Sequence, residues 1–403
     1  MTGIHTPGEP DPSAKNDDSR SLLDTAQDDP AVSPSSIGAL TGLRAVAALW
    51  VVIFHIRFDI LAMLPWTRWA EPLMSAGFLA LDFFFVLSGF IIAYNYAERL
   101  KHPTWPAYRK YVYMRFARVY PVHAVTLLFF GLGFIAAARF GVEVNNKPDG
   151  GAFGLFLNVV MLQGIPGGQF AWNIVSWTLT YEWLAYLAFP LLAMLLARIN
   201  TVRGFVVMSV VAMTVTGVGL TVMALTGVDL EESHAPGLFR IIGGFVSGVA
   251  LYGLYRMRAG VKRRWDLITG VCLVAMVAAI YACVAADLSV SLVLPVVVLA
   301  VYGMAQARGP VKKFLAHRIT VYFGVTTYSL YMAHVPVFVV MRKIFPSEEF
   351  DTAGIGIRIG IVLSFLVVAQ LVGMVLYHAV EQPSRNWLRR RYRRPKDSVR
   401  ATD

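Results

Sequence analysis

The sequence predicts an all-α fold: a polytopic membrane helix bundle of about ten transmembrane helices, with both termini cytosolic. Three observations predict it. Of the 403 residues, 57% are hydrophobic and only 15% charged, and the mean hydropathy is +0.58; a soluble domain carries about a quarter charged residues. The apolar residues fall in runs of about 17–25, the length that spans a bilayer. The basic residues collect in alternate connections, as they do in loops retained in the cytosol.

Residues 1–36 are polar and rich in Asp, Ser and Pro. They read as a disordered cytosolic tail, too poor in apolar residues to pack. No charged segment followed by a short apolar stretch opens the chain, so the first helix serves as its own targeting signal. Spanning runs follow at roughly 37–56, 74–96, 119–138, 175–197, 204–226, 239–255, 267–284, 288–306, 321–341 and 358–380. A further run, 152–165, is about 14 residues long, which suits a re-entrant or interfacial segment. If it does not cross, 27 of the 36 Lys and Arg residues lie on the cytosolic side and six outside, with Arg44, Arg240 and Arg358 within spans. Counting it as a span breaks that bias. The transmembrane domain therefore covers 37–384, and 385–403 is a basic cytosolic tail suited to anionic headgroups.

Other classes recede on the same evidence. A net charge of +11 and a pI of about 9.7 would suggest nucleic acid in a soluble protein. Here loop topology accounts for the charge, and the interleaving of bases and aromatics used by single-strand binders is absent. Cys272 and Cys283 lie eleven residues apart in one run, about 16 Å on a helix and too far for a disulfide. No zinc-type ligand spacing appears, so no metal is expected. There is no Gly-x-Ser-x-Gly elbow either.

Ionisable residues inside spans are costly and need a reason. The first span holds Arg44 and His55 in TGLRAVAALWVVIFHI. Eleven steps of 100° return to nearly the same face, about 16 Å along the axis. Singly, a snorkelling arginine and an interfacial histidine explain them; the shared face favours function. Arg115 and Arg118 in YVYMRFARVYPVH are neighbours on one helical face. Guanidinium forks suit phosphate oxygens, and topology alone explains the charge but not the choice of arginine. Asp82 in GFLALDFFFVLSGF calls for a buried partner, structural if an arginine or histidine supplies it. Glu182 in SWTLTYEWLAY, with Tyr186 at i+4, is either a proton-handling group or half of an ion pair. Tyr328, Tyr331 and His334 in TYSLYMAHVPV share one face, which makes His334 and Tyr328 candidates for an acceptor contact or a proton relay.

Taken in order, Arg44 with His55, LDFFFVLSGF, Arg115 with Arg118, SWTLTYEW, YSLYMAH and the closing Glu381-Gln-Pro383-Ser-Arg385 resemble the membrane acyltransferase-3 family over about 37–395. The resemblance implies O-acylation of sugar-containing molecules of lipopolysaccharide, exopolysaccharide, peptidoglycan, glycolipid or macrolide type. It implies acyl-CoA, often acetyl-CoA, as a co-substrate, with no bound cofactor. It matches Arg44 and His55 to the pair the family uses. It is to the stand-alone form without a fused extracytoplasmic hydrolase-like domain, which leaves open a separate extracytoplasmic partner protein. SWTLTYEW departs from the more usual form, in which Ser-Leu precedes Glu-Glu, so only Glu182 carries over.

The expected mechanism docks CoA phosphates on Arg44, Arg115 and Arg118. The thioester then reaches His55 as general base, and Asp82 or Glu182 orients the imidazole. The location expected is a bacterial inner membrane, and no nucleic-acid partner is expected. The rival is a proton-coupled transporter or lipid-linked sugar flippase, which intramembrane His, Glu and Arg would serve equally. The missing internal repeat disfavours it.

Overall fold

The structure is a computed structural model and describes residues 34–141, 148–230, 234–257 and 264–393. The predicted N-terminal tail up to residue 33 and the end of the basic tail, 394–403, lie outside the described residues. Among the described residues every regular element is helical.

Among the described residues nine helices are long and apolar enough to cross a membrane. Those that position the site are α1 (Pro34–His55), its continuation α2 (Arg57–Met63), α3 (Ala80–Leu100) and α4 (Trp105–Phe140). The short α5 (Gly151–Val159) is followed by α6 (Trp177–Arg198), α7 (Val202–Leu225) and α8 (Gly237–Arg256). The last group is α9 (Trp265–Ala285), α10 (Leu294–Gln306), α11 (Arg318–Ile344), α12 (Ile355–Leu376) and α13 (Gln382–Arg393).

The eighth expected span, 288–306, forms a shorter apolar helix than the nine. Asp287 takes a left-handed φ of 52°, a 3-10 turn follows, and Pro295 opens α10. The apolar helix is therefore Val290–Gln306, about 26 Å at 1.5 Å per residue, slightly under the bilayer core. The 152–165 run does not cross. Its helix α5 is nine residues long, about 14 Å, and the chain turns at Met161, whose φ is +58°. The following segment dips into the bundle, where Asn173 Nδ2 donates to Met332 O halfway along α11. Asn158 holds this segment together: its side chain donates to Gly154 O and Phe170 O, and its own carbonyl accepts from His123 Nε2 at 2.7 Å. In hydrocarbon every backbone polar group needs a partner, and an irregular stretch is tolerated only when buried in protein.

The outside of the bundle is apolar. Along α7, Val206, Val207, Val210, Val211, Val218 and Val222 are exposed, as expected of a face meeting lipid tails. Inside, backbones approach at glycines. A Cβ at Gly324 of α11 would overlap Thr41 O of α1. That contact seats α11 directly against the helix carrying Arg44 and His55. Two π turns interrupt the inner helices, Ile242–Val246 in α8 and Tyr377–Glu381 between α12 and α13. Each adjoins a buried charge, Arg240 and Glu381 respectively; such bulges recur where a side chain must be re-aimed.

Candidate active site along helices α1 and α11

Helix α1 stops at His55. Ile56 leaves helical geometry, at φ −110° and ψ 11°, before α2 begins. The imidazole therefore sits on a terminal turn. Its Nδ1 lies 2.8 Å from Val51 O. A carbonyl only accepts, so Nδ1 carries the proton and Nε2 keeps its lone pair. His334 of α11, wholly buried, places Nε2 3.3 Å from the same Nδ1, with ring centroids 4.7 Å apart. The two intramembrane histidines form one pair.

The break after His55 also exposes its carbonyl, as at any helix end. Arg342 Nη2 donates to it at 2.7 Å. The same guanidinium holds Asp59 of α2 with Nε and Nη2 at 3.1 and 2.7 Å from Oδ2. Helix α11 thus grips the end of α1 twice, through His334 and through Arg342.

From the pair the site runs toward Arg44. Tyr331 is one turn before His334, ring centroids 5.6 Å apart, and its hydroxyl donates to Val175 O. Tyr331 lines a narrow slot of about 50 Å³ together with Arg44, Glu182, Thr178, Thr327 and Tyr328, while Leu81, Phe84, Phe85 and Leu179 form its apolar side. Arg44 Nε is buried and has no hydrogen-bond partner among the described residues. Glu182 accepts from Ser88 Oγ at 3.2 Å and from Tyr186 Oη. Tyr328 donates to Val119 O at 2.6 Å, so its proton is committed to α4 and only its oxygen lone pairs are left for the slot.

Beyond Arg44 lies a knot of arginines. Arg118 pairs with Glu381 at 2.9 Å, and Glu381, fully buried, also accepts from Ser329 Oγ at 2.7 Å. Arg115 Nη2 donates to Tyr96 Oη at 2.8 Å with its guanidinium over that ring, leaving Nε buried and unbonded. Arg385, only 4% exposed, has Nε and Nη2 buried without a hydrogen-bond partner among the described residues.

Asp82 is placed elsewhere. Arg240 of α8 holds both its oxygens, Ser291 Oγ accepts from Arg240 Nη1 at 3.3 Å, and Phe78 lies under the guanidinium at 4.7 Å. No hydrogen bond joins Asp82 to either histidine. The buried partner that its sequence context calls for is an arginine.

A family model for an acyltransferase domain, acyltransferase-3, matches residues 37–378. The chain belongs to the acyltransferase-3 family. Among curated proteins this acyltransferase is 25% identical over 379 residues to "Acyltransferase MdmB" of Streptomyces mycarofaciens, covering 88% of the chain and 92% of that protein. It is 32% identical over 114 residues to "Protein 2 in picA locus" of Rhizobium radiobacter, covering 27% of the chain and 51% of that protein. No solved structure matches. Family membership answers the transporter alternative.

Of the residues expected in the acyltransferase's site, Arg44, Glu182 and Tyr328 share the slot, His55 and His334 share a hydrogen bond, and Arg115 and Arg118 stand at the basic end. Sequence reading missed Arg342 with Asp59, because their pairing crosses 283 positions. It also passed over Ser88 as a partner of Glu182. Arg385 was legible as part of the closing motif, but its burial was not.

Proposed function

We propose that this acyltransferase moves an acyl group, acetyl in the simplest case, from acyl-CoA to a hydroxyl of a sugar-containing acceptor. The acceptor classes are exopolysaccharide, lipopolysaccharide, glycolipid or macrolide, and the setting is a bacterial inner membrane. The observation that carries the proposal is the row of side chains from Arg44, across the slot to Tyr331, whose ring meets that of His334, the hydrogen-bond partner of His55.

The donor's phosphates suit Arg44, Arg115 and Arg118, whose planar forks match phosphate oxygens. Its pantetheine arm alternates amides with methylenes, and the slot offers a polar wall of Thr178, Thr327 and Tyr328 against an apolar wall of Leu81, Phe84 and Phe85. Eleven residues separate Arg44 from His55, about 16 Å of helix, a reach that an extended arm covers. At the far end His55 Nε2 takes the proton of the acceptor hydroxyl as its oxygen bonds to the thioester carbon. The C–S bond then breaks, and the sulfur leaves with the proton returned by His55. The products are an ester and free CoA. During the step the imidazolium keeps its Nδ1 proton on Val51 O and His334 Nε2, which fixes the ring and spreads the charge. Glu182 shares the slot with Arg44 and offsets its charge. The donor is a co-substrate rather than a resident cofactor.

The test is acyl transfer from radiolabelled acetyl-CoA by the purified enzyme in proteoliposomes, paired with mass spectrometry of surface glycans from a deletion strain. His55→Ala is expected to lower kcat by about 10²–10⁴, the range for a general base, while still inserting in the membrane. An active His55→Ala enzyme removes the imidazole from the mechanism.

A further inference from the structure

We propose that a cleft at the basic mouth seats the 3′-phosphorylated adenosine of the donor, so that the enzyme prefers CoA esters over their 3′-dephospho counterparts. This rests on the reading that the donor is acyl-CoA. The cleft measures about 300 Å³ and is lined by Tyr96, Arg99, Lys110, Tyr111, Met114 and Arg389, among others. Its three cations come from three helices: the end of α3, the start of α4, and α13. Converging cations from separate elements bind a phosphate dianion better than a run on one face, because each approaches a different oxygen.

The cleft is the outer tier of a longer cation-lined path. Tyr96 accepts the hydrogen bond of Arg115, whose Nε is buried and unbonded. Arg385 is one turn inward from Arg389 on the same face of α13, and it too carries buried donors without hydrogen-bond partners among the described residues. Further in, Arg118 shares the single carboxylate Glu381. A CoA ester has two separate anionic groups, a 3′-phosphate and a diphosphate, joined through one ribose. The outer tier of Arg99, Lys110 and Arg389 fits the first. The inner tier of Arg115, Arg118 and Arg385 fits the second, which then points the pantetheine arm at the slot. The rings of Tyr96 and Tyr111 meet edge to face at 67°, centroids 5.0 Å apart, and give the purine an aromatic edge to pack against.

The phosphate chemistry that fits the cleft has a second source, the headgroup phosphate of an anionic lipid, since the cleft lies where the apolar helices α3 and α4 meet their basic connection. Calorimetric titration separates the two. The purified enzyme in phosphatidylcholine nanodiscs is titrated with acetyl-CoA and with 3′-dephospho-acetyl-CoA, then both titrations are repeated in phosphatidylglycerol nanodiscs. The wild type is expected to bind acetyl-CoA at least about tenfold more tightly, about 1.4 kcal/mol, in both lipids. Lys110 is exposed and Arg389 half-buried, so Lys110→Gln/Arg389→Gln is expected to fold. It should bind both esters with the affinity the wild type shows for the dephospho form. Equal affinities in the wild type overturn the proposal, as does a preference that survives the double substitution. A preference abolished by phosphatidylglycerol assigns the cleft to lipid and overturns it too. If neither ester binds, the acyl-CoA reading falls with it, whereas equal binding of both leaves that reading standing.

Discussion

Asp82 and Arg240 are 1% and 4% exposed, and the guanidinium spans both carboxylate oxygens. Breaking such a pair leaves one charge buried without a partner, at a cost of about 3–5 kcal/mol. Replacing both members by apolar residues of similar volume removes the charge altogether and is close to neutral. Asp82→Ala is therefore expected to destabilise the enzyme strongly, because among the described residues Arg240 then keeps only Ser291 and the Phe78 ring. Unfolding entropy of about 2.1 cal/mol/K per residue over 403 residues turns that cost into a fall of about 4–6 °C in Tm. The pair Asp82→Leu/Arg240→Met should recover most of the loss. The assay is a thermal melt in detergent, run with acyl transfer on the same preparations. If Asp82 serves structure alone, the double variant regains activity together with stability. A double variant that melts like the wild type yet transfers no acyl group would refute this reasoning and return Asp82 to the chemistry. Asp82→Ala melting at the wild-type temperature would refute it from the other side.

The histidine pair makes a second prediction: His334→Leu, which removes one of the two acceptors at His55 Nδ1 and leaves Val51 O, should lower kcat by about 10²-fold, a general-base contribution at the low end. His334→Gln presents a carbonyl near the Nε2 position and should retain more activity, with the donor KM held in both, as read by steady-state kinetics. At the far end of α11, Arg342→Gln or Asp59→Asn should lower kcat by about 10–10²-fold with the donor KM within about twofold, because a displacement near 1 Å at a catalytic group has that effect. Arg342→Lys should recover part of it; a change confined to KM would show that the grip on His55 O does not set the imidazole.

The lengths of the apolar runs carried most of the helical architecture. Apolar runs of bilayer length located nine crossing helices and the shorter tenth, and the 14-residue run was legible as non-crossing because its length is fixed by the bilayer rather than by tertiary contacts. Arg44 and His55 were legible as one face, since spacing along a helix is a local property. Pairing between helices was not. Nothing local tells that Asp82 meets Arg240, 158 positions away, or that His334 rather than a carboxylate meets His55. Helices of similar hydropathy pack in many orders, and their order is set by small-residue contacts such as Gly324 against Thr41 O, which have no periodic signature. The π turn at Tyr377–Glu381 is also silent in sequence, yet it adjoins the carboxylate that meets Arg118.

Charge balance separates structure from site in this bundle. Asp82 with Arg240 and Asp59 with Arg342 are matched one to one, each arginine holding its carboxylate through two nitrogens. A matched pair asks nothing of a ligand. The group at the basic end is different: Arg44 shares the slot with Glu182, Arg118 pairs with Glu381, Arg115 meets Tyr96, and Arg44, Arg115 and Arg385 keep buried nitrogens without a hydrogen-bond partner among the described residues. Unmatched guanidinium inside a membrane protein is costly, and natural interiors satisfy their polar groups unless something else does so. An anion entering from that end would complete the hydrogen bonds and cancel the excess charge together. The cost of holding the excess guanidinium charge in its absence is the physical reason to expect binding there to be strong, salt-sensitive at the exposed outer residues, and insensitive to salt at Arg385, which is buried.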